Sequence, residues 1–464
     1  MVDFDLIVIG EGAAGLGAAR AAAGRGARTL LVSEGEIGGE CTFTGCVPSK
    51  TLIEAAEHGV PFEAAMRDVR AAVARVAAAE DAPALRREGI EVARGAAMFI
   101  SPREIRVEGR RMRGGRYVIA TGTRPALPQL PGLVDVPYLT NENVFDLAEA
   151  PGLLAVLGGG AVGCELAQAF ARFGTRVTIV EARDWLLPAE DPEAGDVIQK
   201  VFAAEGVSVR TGATVERVEP CGAGVRMVVS GNAGGADSER LLVAAGRSPV
   251  TERLGLHAAG VRTDEAGFVV TDAHMATTAP GIYAAGDRCP FTHAAHAMGR
   301  IAARNALRGR GSRAARFDAA AIPRVTFTDP EVAHVGLTHP EAVDAPDAER
   351  VRLAYLPMSE LDRAIAAGRT EGFVKLIAAR RRLLGTVGGG RLLGATVVAH
   401  RAGEMIHEPA LAIATRMFIG RLAQTTHAYP TWSVAIQQAA AQFFMSVNGR
   451  SAHPASPIYG GGFQ

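Results

Sequence analysis

Apolar residues in this chain fall in short runs that end on glycines. Leu6-Ile7-Val8-Ile9 passes into Gly10-Glu11-Gly12-Ala13-Ala14-Gly15, and Leu154 to Leu157 passes into Gly158-Gly159-Gly160-Ala161-Val162-Gly163. Such runs are too short for helices and are bounded by turn residues, so they pattern as buried strands. The Ala-rich segments after each glycine cluster pattern as helices. A second apolar run follows each helix, Thr29 to Val32 and Val177 to Val180, and leads to an acid, Glu34 or Glu181. Strand, G-x-G-x-x-G turn, helix, strand and acid thus occur twice, with each acid about 20 residues beyond its glycines. Glycine at such a turn lets a pyrophosphate approach the amides of a helix N-terminus, while the acid accepts hydrogen bonds from a ribose. One such unit arises readily without a ligand, but two complete ones imply two dinucleotide sites.

After Ala321 the pattern changes. Pro323 to Thr328 and Gly372 to Ile377 read as strands, and Ala402 to Met417 and Trp432 to Met445 as helices, which predicts a third, α+β domain. Ser446 to Gln464 has no periodicity and reads as a tail that a partner subunit can pin. A length of 464 residues suits about three domains. Lys+Arg and Asp+Glu both number 49, so no basic field exists to attract nucleic acid, and neither nucleic acid nor a membrane is an expected partner. Glycine, 55 of 464 or about 12% against a usual ~7%, fits a chain that a ligand approaches closely in several places. The start of the chain has no basic leader. The most apolar stretch, Leu153 to Ala171, is broken by Gly158, Gly159, Gly160 and Glu165, so neither a signal peptide nor a membrane span is expected. Five scattered cysteines do not make a disulfide framework, and the expected location is cytoplasmic.

The residues that carry chemistry lie between the two glycine units, in Gly38-Gly39-Glu40-Cys41-Thr42-Phe43-Thr44-Gly45-Cys46-Val47-Pro48-Ser49-Lys50. Two cysteines five positions apart at the entry to a helix have redox spacing, because a helix N-terminus favours the thiolate. No second cysteine pair is near to complete a zinc site, so no resident metal is expected. Lysine occurs only at 50, 200 and 375, and Lys50 lies one helical turn beyond Cys46, where a cation stabilises a neighbouring anion. Glu40, next to Cys41, would oppose thiolate formation if buried there, unless it faces solvent. Cys164 and Cys221 read as packing residues, as does Cys289, which is also close enough to Asp287 to approach a cofactor. His293 and His296 have no third ligand and read as site or interface residues.

Cys41-x4-Cys46-Val-Pro-Ser-Lys50 between two G-x-G-x-x-G units resembles the flavoprotein disulfide reductases, the family of dihydrolipoamide dehydrogenase, glutathione reductase and mercuric reductase. Ala120-Thr121-Gly122, Ala245-Gly246-Arg247-Ser248-Pro249, Gly281 to Asp287 and Phe327-Thr328-Asp329-Pro330-Glu331-Val332-Ala333 extend the resemblance over nearly the whole chain. It implies an α/β fold with two Rossmann-like dinucleotide-binding domains and a C-terminal α+β dimerisation domain. The expected boundaries are 1–146 and 271–318 for FAD, 147–270 for NAD(P), 319–445 for dimerisation and 446–464 for the tail.

The resemblance also implies roles. Gly10, Gly12, Gly15, Glu34, Thr121, Gly122 and Asp287 would hold FAD, and Gly158, Gly160, Gly163, Glu181, Gly246 and Arg247 the pyridine nucleotide. Cys46 would be the charge-transfer thiolate facing the flavin and Cys41 the thiol that meets substrate, while Lys50 would pair with Glu165 beside the flavin. Glu181 suits a free ribose 2'-hydroxyl and repels a 2'-phosphate, which favours NADH, although the nearby Arg183 leaves NADPH possible.

The chain departs from the family at its acid/base pair. Thiol reductases carry a His-Pro-Thr-x-x-Glu motif near the C-terminus, whereas this chain reads His427-Ala428-Tyr429-Pro430-Thr431-Trp432-Ser433-Val434. Tyr429 occupies the histidine position and Val434 the glutamate position. A phenol with a pKa near 10 is a poor acid/base group at neutral pH, where such a group contributes about 10²- to 10⁴-fold. His427 could substitute only if two residues of displacement, about 7 Å along an extended chain, can be accommodated. Mercuric reductases also resemble this chain in carrying tyrosine there, but the tail has no cysteine pair to deliver a metal.

The expected activity is electron transfer from NADH through FAD and the Cys41-Cys46 disulfide to a disulfide or a thiol-bound metal ion. The expected assembly is a homodimer in which Tyr429 completes the partner's site. The alternatives are quinone reduction directly from flavin and a redox-sensing flavoprotein without turnover.

Overall fold

The computed structural model describes residues 2–230, 235–286, 289, 291–309, 311–346, 348–380 and 387–456. They form two compact units, the first comprising 1–128, 139–149 and 245–318, and the second 129–138, 150–244 and 319–464. Residues 245–270, which the sequence assigned to the nucleotide domain, therefore belong with the first unit.

The first unit is built on a sheet whose centre is Phe4–Ile9, flanked in parallel by Thr29–Ser33 and by Arg110–Ile119. Ile90–Arg94 extends one side in parallel, and Ile282–Ala284 pairs in parallel with Arg110–Ile119. Leu6, Ile7 and Val8 are fully buried, as a central strand covered on both faces requires. The Ala13–Ala23 and Thr292–Ala306 helices pack closely against each other. A Cβ on Gly299 would lie 2.0 Å from the Ala14 carbonyl oxygen, so only glycine permits this approach.

In the second unit a parallel sheet runs in the order Ser208–Arg210, Arg176–Val180, Leu153–Leu157, Arg240–Val243. A separate antiparallel sheet has the order Arg324–Thr326, Glu331–Gly336, Arg391–Ala399, Phe373–Ala379, Val351–Pro357, His453–Pro454. Its core buries Val374, Leu376, Val397, Ile406, Ala435 and Ile436. The helix expected over 402–417 is two pieces, Ala402–Met405 and His407–Ala414. Pro409 has no amide to donate to the Met405 carbonyl and its ring crowds that oxygen, which accounts for the break. The second piece ends where Arg416 takes φ +54° and the Met417 amide returns to the Ala412 carbonyl. The other expected helix, 432–445, narrows to Val434–Ala441.

The tail is more ordered than its composition suggests. His453–Pro454 adds an edge strand to Val351–Pro357, and the Ser456 carbonyl meets His339 Nε2 at 2.9 Å. Of the three lysines, Lys375 is fully buried, with its ammonium 2.8 Å from Glu193 and 3.3 Å from Asp191, so it is a structural ion-pair residue.

Candidate active site

Both glycine turns are shaped by contact. Gly10 has φ +111° and a Cβ there would sit 2.2 Å from the Ala120 carbonyl oxygen, while a Cβ on Gly15 would sit 1.8 Å from the Gly10 oxygen. Gly158, at φ +110°, and Gly163, whose Cβ would lie 2.0 Å from the Gly158 oxygen, repeat the positive φ of the first glycine and the press of the third upon it. The middle glycines differ in kind. A Cβ on Gly12 or Gly160 would meet nothing within 4 Å, so each opens onto free space at the start of its helix. That is the cradle a pyrophosphate needs.

Thr121 Oγ1 is buried without a hydrogen-bond partner among the described residues, a polar atom that a ligand would satisfy. Gly122, at φ +67°, and Gly246, at φ +118°, accept hydrogen bonds from Val250 and Ala126, which join their two segments. Asp287 lies outside the described residues. These residues fit a dinucleotide at each turn.

The acids behave differently. Glu181 is 9% exposed and its carboxylate accepts from the amides of Gly159 at 2.7 Å and Arg183 at 2.8 Å, which fixes it at the edge of the second cradle. Glu34 is exposed and paired with the Arg253 guanidinium. In its stead Glu11, inside the first glycine turn, accepts from the Gly35 amide at 3.0 Å, and burial raises its carboxyl above the usual range.

Cys46 opens the Cys46–Glu57 helix, where the positive end of the dipole favours a thiolate, and its Sγ lies 3.2 Å from the Thr292 hydroxyl. Cys41 lies in the short Gly39–Phe43 helix, in hydrogen-bond contact with Cys46. That contact, together with burial and the nearby Glu80, pushes the Cys41 thiol well above its ordinary value. Thr292, which nothing in the sequence pattern marked, is a hydroxyl placed to donate to a thiolate at Cys46. Lys50 is on the same helix, one turn on from Cys46.

Glu40 is neither a bare charge beside Cys41 nor free in solvent. The Arg247 guanidinium grips it with both terminal nitrogens, Nη1 at 2.7 Å from Oε1 and Nη2 against Oε2, and Asn141 Nδ2 donates to Oε1 at 2.9 Å. Arg247, expected at the nucleotide, is thus committed to Glu40 and to Thr123, whose hydroxyl accepts from Nε at 2.6 Å.

In the second unit Glu165 is 5% exposed and accepts from the Phe327 amide at 2.8 Å. Cys164 is fully buried with its thiol pushed high by burial, as a packing residue should be. Tyr429 is 73% exposed, and its hydroxyl donates to Asp362 at 2.8 Å, which raises the phenol further from neutrality. His427 does not replace the missing histidine. Its side chain is 4% exposed, with Nδ1 2.9 Å from the Thr425 carbonyl and Nε2 3.0 Å from Glu408, so both ring nitrogens already face acceptors.

Two dinucleotide cradles on separate glycine turns, with a pair of touching thiols at a helix start, define a nucleotide-dependent redox protein. The chain belongs to the pyridine nucleotide-disulphide oxidoreductases: the family model matches residues 4–301, and the model of that family's dimerisation domain matches 322–440. Members are enzymes that use FAD and NAD(P)H. The chain is 36% identical to a mercuric reductase of Streptomyces lividans over 96% of its own length and 97% of the relative's. It is 37% identical to a dihydrolipoyl dehydrogenase of Thermus scotoductus over 95% and 97% of the two. Among solved structures, the Cu(II) complex of the HOCl-induced flavoprotein disulfide reductase RclA from Escherichia coli matches with TM-score 0.84 and 29% identity, covering 95% of this chain and 99% of that one. Among the described residues no helix is long and apolar enough to cross a membrane.

Proposed function

We propose that this enzyme takes electrons from NADH and delivers them through Cys41 and Cys46 to a metal ion presented by thiols, in preference to a free disulfide. The observation that carries this reading is the absence of an available proton shuttle at the motif where thiol reductases keep one. Tyr429 is held as a phenol by Asp362, and both nitrogens of His427 face other acceptors. Cleaving a disulfide releases a thiolate that needs a proton, whereas a metal ion taking electrons while bound to thiolates does not. The mercuric reductase relatives and the copper complex of RclA agree with such an acceptor.

FAD, when bound, supplies two-electron exchange between a nicotinamide and the cysteine pair. Gly10, Gly12, Gly15 and Thr121 would hold it, with Gly158, Gly160, Gly163 and Glu181 holding the nicotinamide nucleotide. Glu181 prefers NADH because its carboxylate accepts from ribose hydroxyls and repels a 2'-phosphate. Cys46, with the helix dipole and the Thr292 hydroxyl, holds the negative charge of the reduced pair. Cys41 keeps the proton until an acceptor displaces it. The family's dimerisation domain supports a homodimer, with Tyr429 serving the partner's site.

An anaerobic NADH titration is expected to produce a long-wavelength thiolate-to-flavin band at the two-electron stage. Turnover with thiol-complexed Cu(II) or Hg(II) should exceed that with lipoamide or glutathione disulfide by at least about 10²-fold. Cys41→Ser should abolish it. Full activity in that variant would instead mean that flavin reduces acceptors such as quinones directly.

A further inference from the structure

The helix that carries Cys41 is too short to hold itself. Gly39–Phe43 has five residues, no side-chain hydrogen bond at its N-cap, and a preceding Gly38 at φ +114°. A single turn of helix is unstable in isolation, because fixing its backbone costs more than its few hydrogen bonds return. Yet the pair can close as a disulfide only if Cys41 Sγ is kept against Cys46, whose own helix has twelve residues and buries Leu52, Ala55 and Ala56.

Thr42, buried in the short helix, donates to Glu80 at 3.4 Å, and the contacts on Glu40 and on the Thr44 carbonyl come from far along the chain. Arg247, 207 positions from Glu40, places a planar fork on its carboxylate, and the same guanidinium bonds Thr123 through its hydroxyl at 2.6 Å and its carbonyl at 3.1 Å. Asn141 uses one amide nitrogen to bridge Glu40 Oε1 at 2.9 Å and the Thr44 carbonyl at 3.1 Å, so it spans both ends of the turn. Arg247 and Thr123 belong to the paired strands Arg247–Pro249 and Thr123–Pro125. The Arg247 and Glu40 side chains are 24% and 35% exposed, partly shielded, and a two-point Arg–carboxylate pair resists rotation in a way a single contact does not.

We propose that Arg247, seconded by Asn141, is a positioning residue that clamps the Cys41 helix through Glu40 and thereby sets the stability of the Cys41–Cys46 disulfide. The inference rests on Cys41 and Cys46 forming the redox pair of the proposed function. Releasing the clamp lowers the effective concentration of the Cys41 thiol at Cys46, and the dithiol–disulfide equilibrium moves toward the dithiol.

The test equilibrates the FAD-loaded enzyme in reduced/oxidised glutathione buffers, traps thiols by alkylation and measures the Cys41–Cys46 disulfide by mass spectrometry. Arg247→Met is expected to shift the midpoint glutathione ratio about tenfold in favour of the dithiol, about 30 mV for a two-electron couple. Glu40→Gln, a near-isosteric change at a partly exposed site, should move it the same way. The double variant should move it no further than the larger single, because the two side chains act as one unit. Arg247→Lys, which keeps the charge and loses the fork, should fall between wild type and Arg247→Met.

Unchanged midpoints in Glu40→Gln and Arg247→Met, or single effects that multiply in the double variant, would overturn the clamp. A wild-type enzyme that forms no Cys41–Cys46 disulfide at any ratio would overturn the proposed relay itself, a distinct result from a normal disulfide insensitive to Arg247. Should Arg247→Met not fold, Glu40→Gln carries the same test.

Discussion

The two glycine turns are alike in their sterics and opposite in their polar wiring. Gly10 and Gly158 have φ +111° and +110°, and the third glycine of each motif is pressed onto the carbonyl of the first. In the second turn the strand-end acid Glu181 reaches back to the turn and accepts from the Gly159 amide. In the first, Glu11 inside the turn reaches forward to the Gly35 amide, and the strand-end acid Glu34 is left on the surface with Arg253. The same tie between turn and strand end is made from opposite sides. A hard-sphere requirement admits one residue, whereas a hydrogen bond can be supplied by either of two neighbours.

The largest expected effect comes from the pressed glycines. Gly15→Ala and Gly163→Ala each drive a methyl to within 2.0 Å of a backbone oxygen, at a cost above about 3 kcal/mol. Gly15→Ala should purify without yellow FAD, while Gly163→Ala should keep its flavin and lose reduction by NADH. Identical spectra for the two would break the assignment of one cofactor to each turn.

Gly12→Ala and Gly160→Ala sharpen it further, because their Cβ atoms enter open space. Melting temperature should move by no more than about a degree, while affinity for FAD or NADH falls at least about tenfold, or about 1.4 kcal/mol. A loss of stability without a loss of affinity would mean that the cradle is not where the ligand sits.

The acids should separate next. Glu181→Gln is expected to raise the KM for NADH about tenfold and to narrow discrimination against NADPH, as expected for a charged acceptor of ribose hydroxyls. Glu34→Gln should change the FAD dissociation constant less than about threefold, since it removes only an exposed, screened ion pair.

The smallest effect is in pH dependence. Burial raises the Glu11 carboxyl, outweighing the Gly35 hydrogen bond that lowers it, so the native state binds this proton more tightly than the unfolded chain does. Its protonated form is fully favourable below the ordinary carboxylate range, and stability is lost as pH rises from there through the raised value. Glu11→Gln should flatten that decline, by about a degree of melting temperature between pH 5 and pH 8. An unchanged slope would show that the swapped wiring has no electrostatic cost.

Most of the dinucleotide architecture was legible because it is local. Strand, turn and helix follow one another within about thirty residues, and glycine spacing reports contacts between near neighbours. Cys41 and Cys46 were legible for the same reason. The helix break at Ile406 was readable in principle from Pro409, but the apolar periodicity ran on through it. What stayed hidden were partners supplied by distant chain: Asp362 for Tyr429, Glu408 for His427, Thr292 for Cys46 and Arg247 for Glu40. No spacing rule connects residues 246 positions apart, as Cys46 and Thr292 are. The tail misled for a related reason, since two residues of edge strand take their order from the strand beside them and show no period of their own.

The amino-acid pattern was enough to place two glycine turns and a closely spaced cysteine pair, and to show a tyrosine and a valine where thiol reductases carry histidine and glutamate. Which charges are free to act emerged with the folded backbone. It spent Arg247 on Glu40 and closed both nitrogens of His427, because the partners that satisfy a polar group are chosen by proximity in space, after the backbone has folded.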